Sequence, residues 1–268
     1  MRIKIFGVDA FTGKPFSGNP AAVCLLTKPA PDGWMQAVSA EMNLSETAFV
    51  KSMGGGEYNL RWFTPKVEVD LCGHATLASA HILWETGEVK TDRIIFNTKS
   101  GQLTAVRAGG CIELDFPQVQ PEPAPAPAGL LEGLGVEKPI NVAKAGPDYL
   151  VELGSENEIR KLKPDFARLG SIDMRGVIVT ARGDDTDIDF VSRVFAPSAG
   201  IDEDPVTGSS HCALGPYWSG EIGKKEFKAR QVSKRGGEVG VKLEGDRAIL
   251  SGKAVTVWAG SLIVEQGH

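Results

Sequence analysis

Cysteine is scarce in this sequence, and the few thiols are not arranged for pairing. The 268 residues include four cysteines, Cys24, Cys72, Cys111 and Cys212, and no Cys-x-x-Cys pair. Widely spaced thiols in a chain of this length are typical of a reducing compartment rather than of a disulfide framework. The sequence therefore predicts a cytoplasmic protein with free cysteines.

Long apolar runs and clusters of positive charge are also missing. No uninterrupted apolar stretch reaches the roughly 18–20 residues of a membrane-spanning helix, and the N-terminus lacks the apolar segment of a signal peptide. The formal net charge is −5, and the Lys and Arg residues form no basic run. We therefore expect neither a membrane nor a nucleic acid as a partner.

The common cofactor and nucleophile motifs are absent as well. The sequence has no G-x-x-x-x-G-K-[ST] loop, no convincing G-x-G-x-x-G turn after a strand and no G-x-S-x-G elbow. Candidate metal ligands exist, but their spacing matches no zinc site; they are Cys72, His74, His81, His211 and Cys212. We therefore expect no cofactor and no metal.

What is present is an ordinary globular composition, with 42% hydrophobic and 24% charged residues, and one proline-rich interruption. Prolines alternate with other residues between positions 118 and 127. Because proline is excluded from helix interiors and central strands, this segment predicts an extended linker. It would join an N-terminal lobe, residues 1–117, to a C-terminal lobe, residues 128–268. A long loop inside a single domain is the alternative.

The hydrophobic pattern of both lobes predicts many short strands and a few helices. Helices are expected over Trp34–Met42, His74–Trp84 with Gly87 as its cap, Glu156–Leu169, and Ser209 to about Glu221. Strands are expected near Ile3–Val8, Thr47–Lys51, Leu60–Phe63, Arg93–Asn97, Leu103–Arg107, Cys111–Phe116, Tyr149–Leu153, Gly176–Ala181, Ile188–Phe195, Glu238–Leu243, Ala248–Ser251 and Ala254–Val264.

The two lobes also share short sequences at a matched spacing. The segment from Arg61 to Pro65, Arg-Trp-Phe-Thr-Pro, is similar to Arg-Val-Phe-Ala-Pro at 193–197, and Thr-Lys-Ser-Gly at 98–101 is similar to Ser-Lys-Arg-Gly at 233–236. Aligned without a gap, the first pair places Cys72 opposite Asp204. The matches predict duplicated lobes, and a cleft between such lobes is where an active site is expected.

Two polar segments in the first lobe precede or follow predicted strands. The turn at Gly18-Asn19-Pro20, within Phe16–Val23, either lines a ligand or is an ordinary loop. Glu46 stands between a predicted helix and a strand, where a partly desolvated carboxylate can act as a general acid or base. The alternative is a solvated or capping glutamate.

Two further segments begin predicted helices. Gly73 and His74 open one helix, where free N–H groups suit a substrate carboxylate and a neutral imidazole is favoured over a cation. Gly208 and Ser209 open the other helix and follow three acids, the last of which is Asp204. His74 could instead be a capping or buried histidine, and acids before a helix often serve only its dipole.

Taken together, these segments resemble the phenazine-biosynthesis, or PhzF-like, family over essentially the whole chain. The order and spacing of the motifs carry the resemblance; they are Asp9-Ala10-Phe11-Thr12, Ser17-Gly18-Asn19-Pro20-Ala21, Ser45-Glu46-Thr47-Ala48-Phe49, Arg61-Trp62-Phe63-Thr64-Pro65, Gly73-His74-Ala75-Thr76 and Asp204-Pro205-Val206-Thr207-Gly208-Ser209.

The resemblance implies an α+β fold of two similar lobes related to diaminopimelate epimerase. Each lobe would be a mostly antiparallel sheet rolled around a central helix, and the active site would lie in the cleft between them. It also implies a homodimer without a cofactor that acts on a small carboxylate-bearing substrate.

The same resemblance assigns roles to individual residues. Glu46 would move a proton between carbons of the substrate, and His74 and Asp204 would complete the catalytic set. Ser45, Gly73, Gly208 and Ser209 would bind the substrate, the glycines and Ser209 through backbone N–H groups that face its carboxylate. No metal ligand is among them.

Two other interpretations stay open from the residues. An amino-acid epimerase would use one cysteine from each lobe, and only Cys72 stands where such a thiol is needed. A non-catalytic protein that binds small carboxylates would keep the cleft and lose the chemistry. The identity of the substrate is not predicted.

Overall fold

The structure, a computed structural model, describes residues 2–263 and divides the chain into two compact units. The first unit comprises the chain up to Asp115 and the segment that begins at Ser251, and the second runs from Phe116 to Leu250. Each unit combines a mixed sheet with one long buried helix. The predicted α+β class with two similar lobes is confirmed.

The first unit contains two helices among its strands. In chain order its elements are β1 (Arg2–Ala10), β2 (Asn19–Leu26), α1 (Asp32–Met42), β3 (Glu46–Gly54), β4 (Glu57–Phe63), β5 (Glu68–Val69), α2 (Gly73–Glu85), β6 (Arg93–Thr98), β7 (Gly101–Ala108), β8 (Cys111–Pro117), which ends at the boundary, and the returning strand β18 (Ala254–Ile263).

The second unit repeats this alternation with shorter helices. Its elements are β9 (Glu122–Pro123), α3 (Leu130–Leu134), β10 (Asn141–Ala145), β11 (Asp148–Glu152), α4 (Glu156–Lys161), α5 (Phe166–Gly170), β12 (Val177–Arg182), β13 (Phe190–Ala196), a short 3-10 helix (Pro197–Ala199), β14 (Ile201–Asp204), α6 (Gly208–Ile222), β15 (Glu226–Gln231), β16 (Gly237–Glu244) and β17 (Arg247–Gly252).

The strand pairings of the two units follow one scheme, which accounts for the sequence repeat. In the first unit β2 pairs in parallel with β3, β3 and β5 flank β4 in antiparallel fashion, and β4 also pairs in parallel with β6. In the second unit β11, β12, β13, β14 and β15 make the same succession of pairs. Each parallel pair needs a crossover, and helices lie in all four crossovers.

The structure changes the alignment of the repeat by three residues. Cys72 is the residue before the first turn of α2, and Thr207 holds the same place before α6, both with extended backbone. Thr207, rather than Asp204, is therefore the counterpart of Cys72. The ungapped alignment was wrong because the connection from strand to helix is longer in the second unit.

Helix α2 has small or apolar residues around most of its circumference, which suits its burial against the strands of its unit. It packs against β1, β2, β3, β7 and β18. Ala75, Ala78 and Ile82 are fully buried. The helix ends at Glu85 with Thr86 as its cap. Gly87, the predicted cap, follows one residue later with φ 73°.

Every predicted strand coincides with an observed strand to within three residues at each end, although the predicted end at Val264 lies outside the described residues. One helix prediction was wrong. Glu156–Leu169 is two helices, α4 and α5, because Pro164 excludes Lys163 before it from the helical conformation. The segment Phe16–Val23, predicted as a loop, forms strand β2 from Asn19 onward.

The proline-rich segment is not a free linker. Its backbone N–H groups at Gln118 and Val119 donate to Asp246 O (2.9 Å) and Cys212 O (3.0 Å), and β9 pairs with β10. Because proline lacks only the N–H group, the residues between prolines can still bond to a neighbouring strand. The segment is part of the second unit.

The C-terminal strand β18 lies in a different unit from the one expected from the sequence. β18 pairs along β1 from Arg2↔Ile263 to Ala10↔Ala254, so it belongs to the first unit and not to the predicted C-terminal lobe. Gly7 lies opposite Trp258 in this pairing, and a Cβ atom there would be 2.0 Å from the indole Nε1.

Among residues 2–263 there is no helix with the length and apolar character that crossing a membrane requires.

Candidate active site

Glu46 is positioned by the turn between α1 and β3. Asn43 ends α1 in the left-handed conformation, with φ 49° and ψ 38°, and its N–H donates to Ser39 O (3.1 Å). The chain then passes through Ser45, which is half-buried, and enters β3 at Glu46. Parallel pairing of β3 with β2 sets Glu46 opposite Ala21. The carboxylate therefore stands at the very start of a buried strand.

Cys72 and His74 are positioned by the first turn of α2. The Cys72 carbonyl accepts hydrogen bonds from the Thr76 N–H (3.1 Å) and the Thr76 hydroxyl (2.6 Å). No side chain of residues 2–263 caps the N–H groups of this turn, and Gly73, its first residue, is half-buried. The helix start thus keeps donors for an anionic group, as the sequence predicts.

These two segments bring Glu46, Cys72 and His74 together. His74 Nε2 lies 3.0 Å from Glu46 Oε2, and Cys72 Sγ lies 3.6 Å from His74 Nδ1 and 3.9 Å from Nε2. The side chains of Glu46 and His74 are only 12% and 8% exposed. Glu46 Oε2 accepts no well-aligned hydrogen bond from residues 2–263 despite its short contact with the imidazole. It therefore retains capacity for a further donor.

The pair formed by Glu46 and His74 changes the expected protonation of the histidine. Burial lowers the pKa of His74, but Cys72 and Glu46 outweigh burial and hold this pKa well above its usual range. The carboxylate of Glu46 favours the protonated ring, because it lies 3.0 Å from the ring nitrogen. The neutral imidazole expected at the helix start is therefore not supported, since this carboxylate opposes the effect of the helix dipole.

Cys72 itself is not activated. Burial, assisted by the charge of Glu46, raises the pKa of the Cys72 thiol to about 11. A thiol must lose its proton to act as a base or nucleophile, and reactive cysteines have lowered pKa values. The environment of Cys72 therefore opposes the epimerase chemistry in which this thiol would take a proton.

A second cluster of predicted residues lies at the start of α6, in the other unit. Asp204 ends β14, and its carboxylate accepts a hydrogen bond from the Thr207 hydroxyl (2.5 Å). Gln231 links the same turn, because its amide donates to Asp204 O (2.7 Å) and accepts from the Thr207 N–H (2.9 Å). Gly208 begins the helix, and no side chain in the described part of the protein caps its first turn.

Arg175 joins this second cluster, and sequence reasoning missed it. Its guanidinium pairs with Asp148, with Nε 2.8 Å from Oδ1, and its Nη2 lies 3.4 Å from Ser209 Oγ. Asp148 raises the pKa of Arg175 further above its usual value. Arg175 precedes β12 and lies 34 residues before Ser209 in the sequence. Nothing in its local sequence indicates that it lies next to Ser209 in the structure.

The other candidate ligands named from the sequence do not converge. His81 contacts the hydroxyl of Thr256 (3.1 Å) and lies 3.6 Å from Glu85. His211 and Cys212 are buried within α6. The structure adds Glu46 to Cys72 and His74 instead, a grouping that sequence spacing could not reveal.

Comparison with known proteins decides the family. A model of the family described as "phenazine biosynthesis-like protein" matches residues 8–260. An uncharacterized isomerase of Halalkalibacterium halodurans is 53% identical over 98% of this chain and 100% of its own length. A crystal structure of a PhzF-family phenazine biosynthesis protein from Enterococcus faecalis superimposes with a TM-score of 0.94 at 41% identity, covering 98% of this chain and 100% of that one.

The chain belongs to the phenazine biosynthesis-like family. The resemblance seen in the sequence is thereby confirmed, and the isomerase names of the relatives confirm the expectation of an enzyme. A more distant structure, that of a probable proline racemase from Agrobacterium radiobacter, shares the fold with a TM-score of 0.63 at 12% identity, over 98% of this chain and 93% of its own. Phenazine biosynthesis-like proteins and racemases therefore share one architecture.

Proposed function

We propose that this protein is a cofactor-independent isomerase that moves a proton between carbons of a small carboxylated substrate, with Glu46 as general acid and base. The observation that carries the proposal is the buried Glu46 carboxylate with His74 Nε2 at 3.0 Å. A carboxylate beside an imidazolium, withdrawn from water, is a suitable base for a carbon-bound proton. The isomerase names of the relatives agree with this reaction class.

The two carboxylate oxygens of Glu46 can have different roles in proton transfer. Oε2 faces the His74 ring, which leaves the other oxygen to collect the substrate proton and to return it elsewhere. His74 would hold the carboxylate in one orientation and stabilise its negative charge between the two transfers. We propose that His74 acts in this way as part of the catalytic set, with a positive charge maintained by its partner.

The substrate carboxylate has a suitable place at the start of α2. The uncapped N–H groups there begin at Gly73, adjacent in sequence to His74, and a helix start favours negative charge. Ser45, next to Glu46, stays a proposed substrate contact. We also retain Asp204, Gly208 and Ser209 as proposed substrate residues; their support is the uncapped start of α6 and the arginine beside Ser209.

An epimerase that uses Cys72 as its base is disfavoured by the thiol itself. Its pKa of about 11 leaves almost no thiolate at neutral pH. The corresponding place in the second unit is Thr207, which cannot supply a second thiol. Glu46 is the carboxylate at this site, with its Oε2 3.0 Å from His74 Nε2.

The proposal is tested by solvent deuterium exchange, followed by NMR on a panel of small carboxylates that includes dihydro-hydroxyanthranilate. Wild type should exchange a carbon-bound proton of one panel member, and Glu46→Gln should lose this exchange by about 10²-fold or more. Glu41→Gln, on the exposed side of α1, is the matched control and should behave as wild type. Full exchange by a folded Glu46→Gln protein would refute the assignment.

Assembly and location belong to the same proposal. We propose a cytoplasmic homodimer; the four cysteines, all unpaired, agree with a reducing compartment. Sedimentation equilibrium would measure the oligomeric state, and a monomer at micromolar concentration would contradict the dimer.

A further inference from the structure

Three possible metal ligands lie close together in the first unit. They are a carboxylate oxygen of Glu46, the sulfur of Cys72 and a ring nitrogen of His74. One ligand atom from each residue lies within 4.8 Å of the other two. All three residues are largely withdrawn from solvent; the side chains of Glu46 and His74 are 12% and 8% exposed, and Cys72 as a whole residue is 7% exposed. Three different donors thus converge at a buried position, and proton transfer as proposed above uses only two of them.

The separations fit a tetrahedral ion of modest size. Zinc bonds of about 2.0–2.3 Å to nitrogen, oxygen and sulfur place neighbouring ligand atoms about 3.3–3.7 Å apart. The observed separations are 3.0 Å for His74 Nε2 to Glu46 Oε2 and 3.9 Å for His74 Nε2 to Cys72 Sγ. The carboxylate oxygen and the sulfur, at most 4.8 Å apart, need to approach by about 1 Å, within reach of a side-chain rotation of Glu46.

We propose that this cluster binds Zn²⁺ or a similar thiophilic divalent cation through Glu46, Cys72 and His74, and that the bound ion blocks the active site. The mixed donor set selects for such ions, because thiolate and imidazole favour zinc over magnesium or calcium. The ion would lie where the three residues meet, and its fourth position would hold water.

The bound ion is an inhibitor, not a participant, in this proposal. Binding displaces the proton of the Cys72 thiol and that of His74 to solvent, and the thiolate and the neutral ring nitrogen then bond to the ion. The ion occupies the oxygen of Glu46 and the nitrogen of His74 that proton transfer requires. Inhibition therefore rests on the proposed function, whereas binding of the ion does not.

Cobalt provides a direct test of binding, because a thiolate bound to Co²⁺ gives a charge-transfer absorption band that needs no substrate. Wild type, titrated with Co²⁺ in a thiol-free reductant, should develop this band at one ion per chain, and Zn²⁺ should abolish it. Cys72→Ala should lack the band and bind Zn²⁺ roughly 100-fold more weakly or worse, because loss of even an outer-shell partner weakens metal sites by about 10- to 100-fold.

Cys212→Ala is the matched control, since Cys212 is buried to a similar degree, 5% exposed, but lies in α6. It should keep both the band and the zinc affinity. Glu46→Gln and His74→Gln should keep the sulfur band at reduced affinity. A folded wild-type protein without the band, or a Cys72→Ala protein with unchanged zinc affinity, would overturn the proposal.

The deuterium-exchange assay then separates this proposal from the proposed function. Loss of wild-type exchange on adding Zn²⁺, and its recovery with a chelator, would support inhibition through the cluster. Persistent exchange by zinc-saturated protein would reject the inhibition. If metal-free protein exchanges no panel member, the function fails, while the cobalt band still reports the site.

Discussion

Arg193 and Glu203 form a two-bonded ion pair, with Nε to Oε1 at 2.7 Å and Nη2 to Oε2 at 2.9 Å. The guanidinium also donates to the carbonyl oxygens of Ile159 and Leu162, at 3.0 and 3.1 Å. It therefore provides hydrogen-bond donors at the C-terminal end of α4, where the helix stops before Pro164. Arg61 and Glu68 make the corresponding pair in the first unit, at 2.7 and 2.8 Å.

Arg193→Lys should destabilise the protein by about 2 kcal/mol, because an ammonium group cannot replace the planar fork and leaves the half-buried Leu162 carbonyl without this donor. Arg61→Lys should lose less, about 1 kcal/mol, since its bonds go to side chains alone and one of them, Asp32, is 77% exposed. Urea unfolding with an unchanged m-value measures both. Arg107→Lys, an exposed pair with Asp92, should change stability by at most about 0.5 kcal/mol, and equal losses for all three would contradict this ranking.

His74→Gln should slow exchange of the substrate proton by about 10²-fold, because it removes the cation beside Glu46 while preserving a polar side chain. The rate constant at saturating substrate should carry the loss, with a smaller change in KM. His81→Gln is the matched control in the same helix, since His81 contacts Thr256 and Glu85 instead. An equal loss in both variants would indicate damage to α2 rather than to the site.

His211 predicts a pH dependence of stability. Burial lowers the pKa of His211 to about 4, although its contact with the Thr207 carbonyl raises it slightly. The unfolded chain takes up a proton near pH 6.5 and the folded protein does so only near pH 4, so stability is full above pH 6.5 and falls between those values. The fall amounts to about 3 kcal/mol.

Unfolding in urea at pH 7, 6, 5 and 4 measures this dependence, and His211→Gln provides the comparison because other groups titrate equally in both proteins. Wild type should lose stability relative to His211→Gln as the pH falls through this window. Parallel curves for the two proteins would show that His211 is not held neutral.

The thiols should react in a strict order. Cys111 is half-buried, whereas Cys24, Cys72 and Cys212 are buried, and burial raises the pKa of each of these three thiols. A thiol reagent should therefore modify one cysteine quickly in the native protein and all four after unfolding. Alkylated native protein should keep its exchange activity; loss of activity in step with modification of Cys72 would favour the cysteine-based alternative.

Alternation and helical periodicity predicted most elements of the fold, since these patterns are local. Strand β2 was not predicted because Gly18, Asn19 and Pro20 are typical of a turn. The strand forms through long-range pairing with β1 and β3. The division of α4 from α5 has a local cause in the sequence, Pro164, which disfavours the helical conformation at Lys163. The sequence could not predict that β18 belongs to the first unit, because the residues of β18 do not indicate that it pairs with β1.

The site was partly predictable for the same reason. Glu46, Gly73 and His74 stood out through their motifs and their places at element boundaries. Their proximity depends on the register of β2 with β3 and on the burial of α2, which are long-range properties. Arg175 had no local signal at all, and the grouping of Glu46 with Cys72 and His74 is visible only in the structure.

The return of β18 to β1 has a consequence for biosynthesis. On the ribosome, the second unit is continuous from Phe116 to Leu250 and can close its sheet as soon as its last strand emerges. The first unit, though made earlier, has an open edge along β1 until residues 254–263 arrive. Domains usually fold in the order in which they are synthesised. In this protein the second unit has all its strands first. The first unit, which contains Glu46, can complete its sheet only after residues 254–263 have been synthesised.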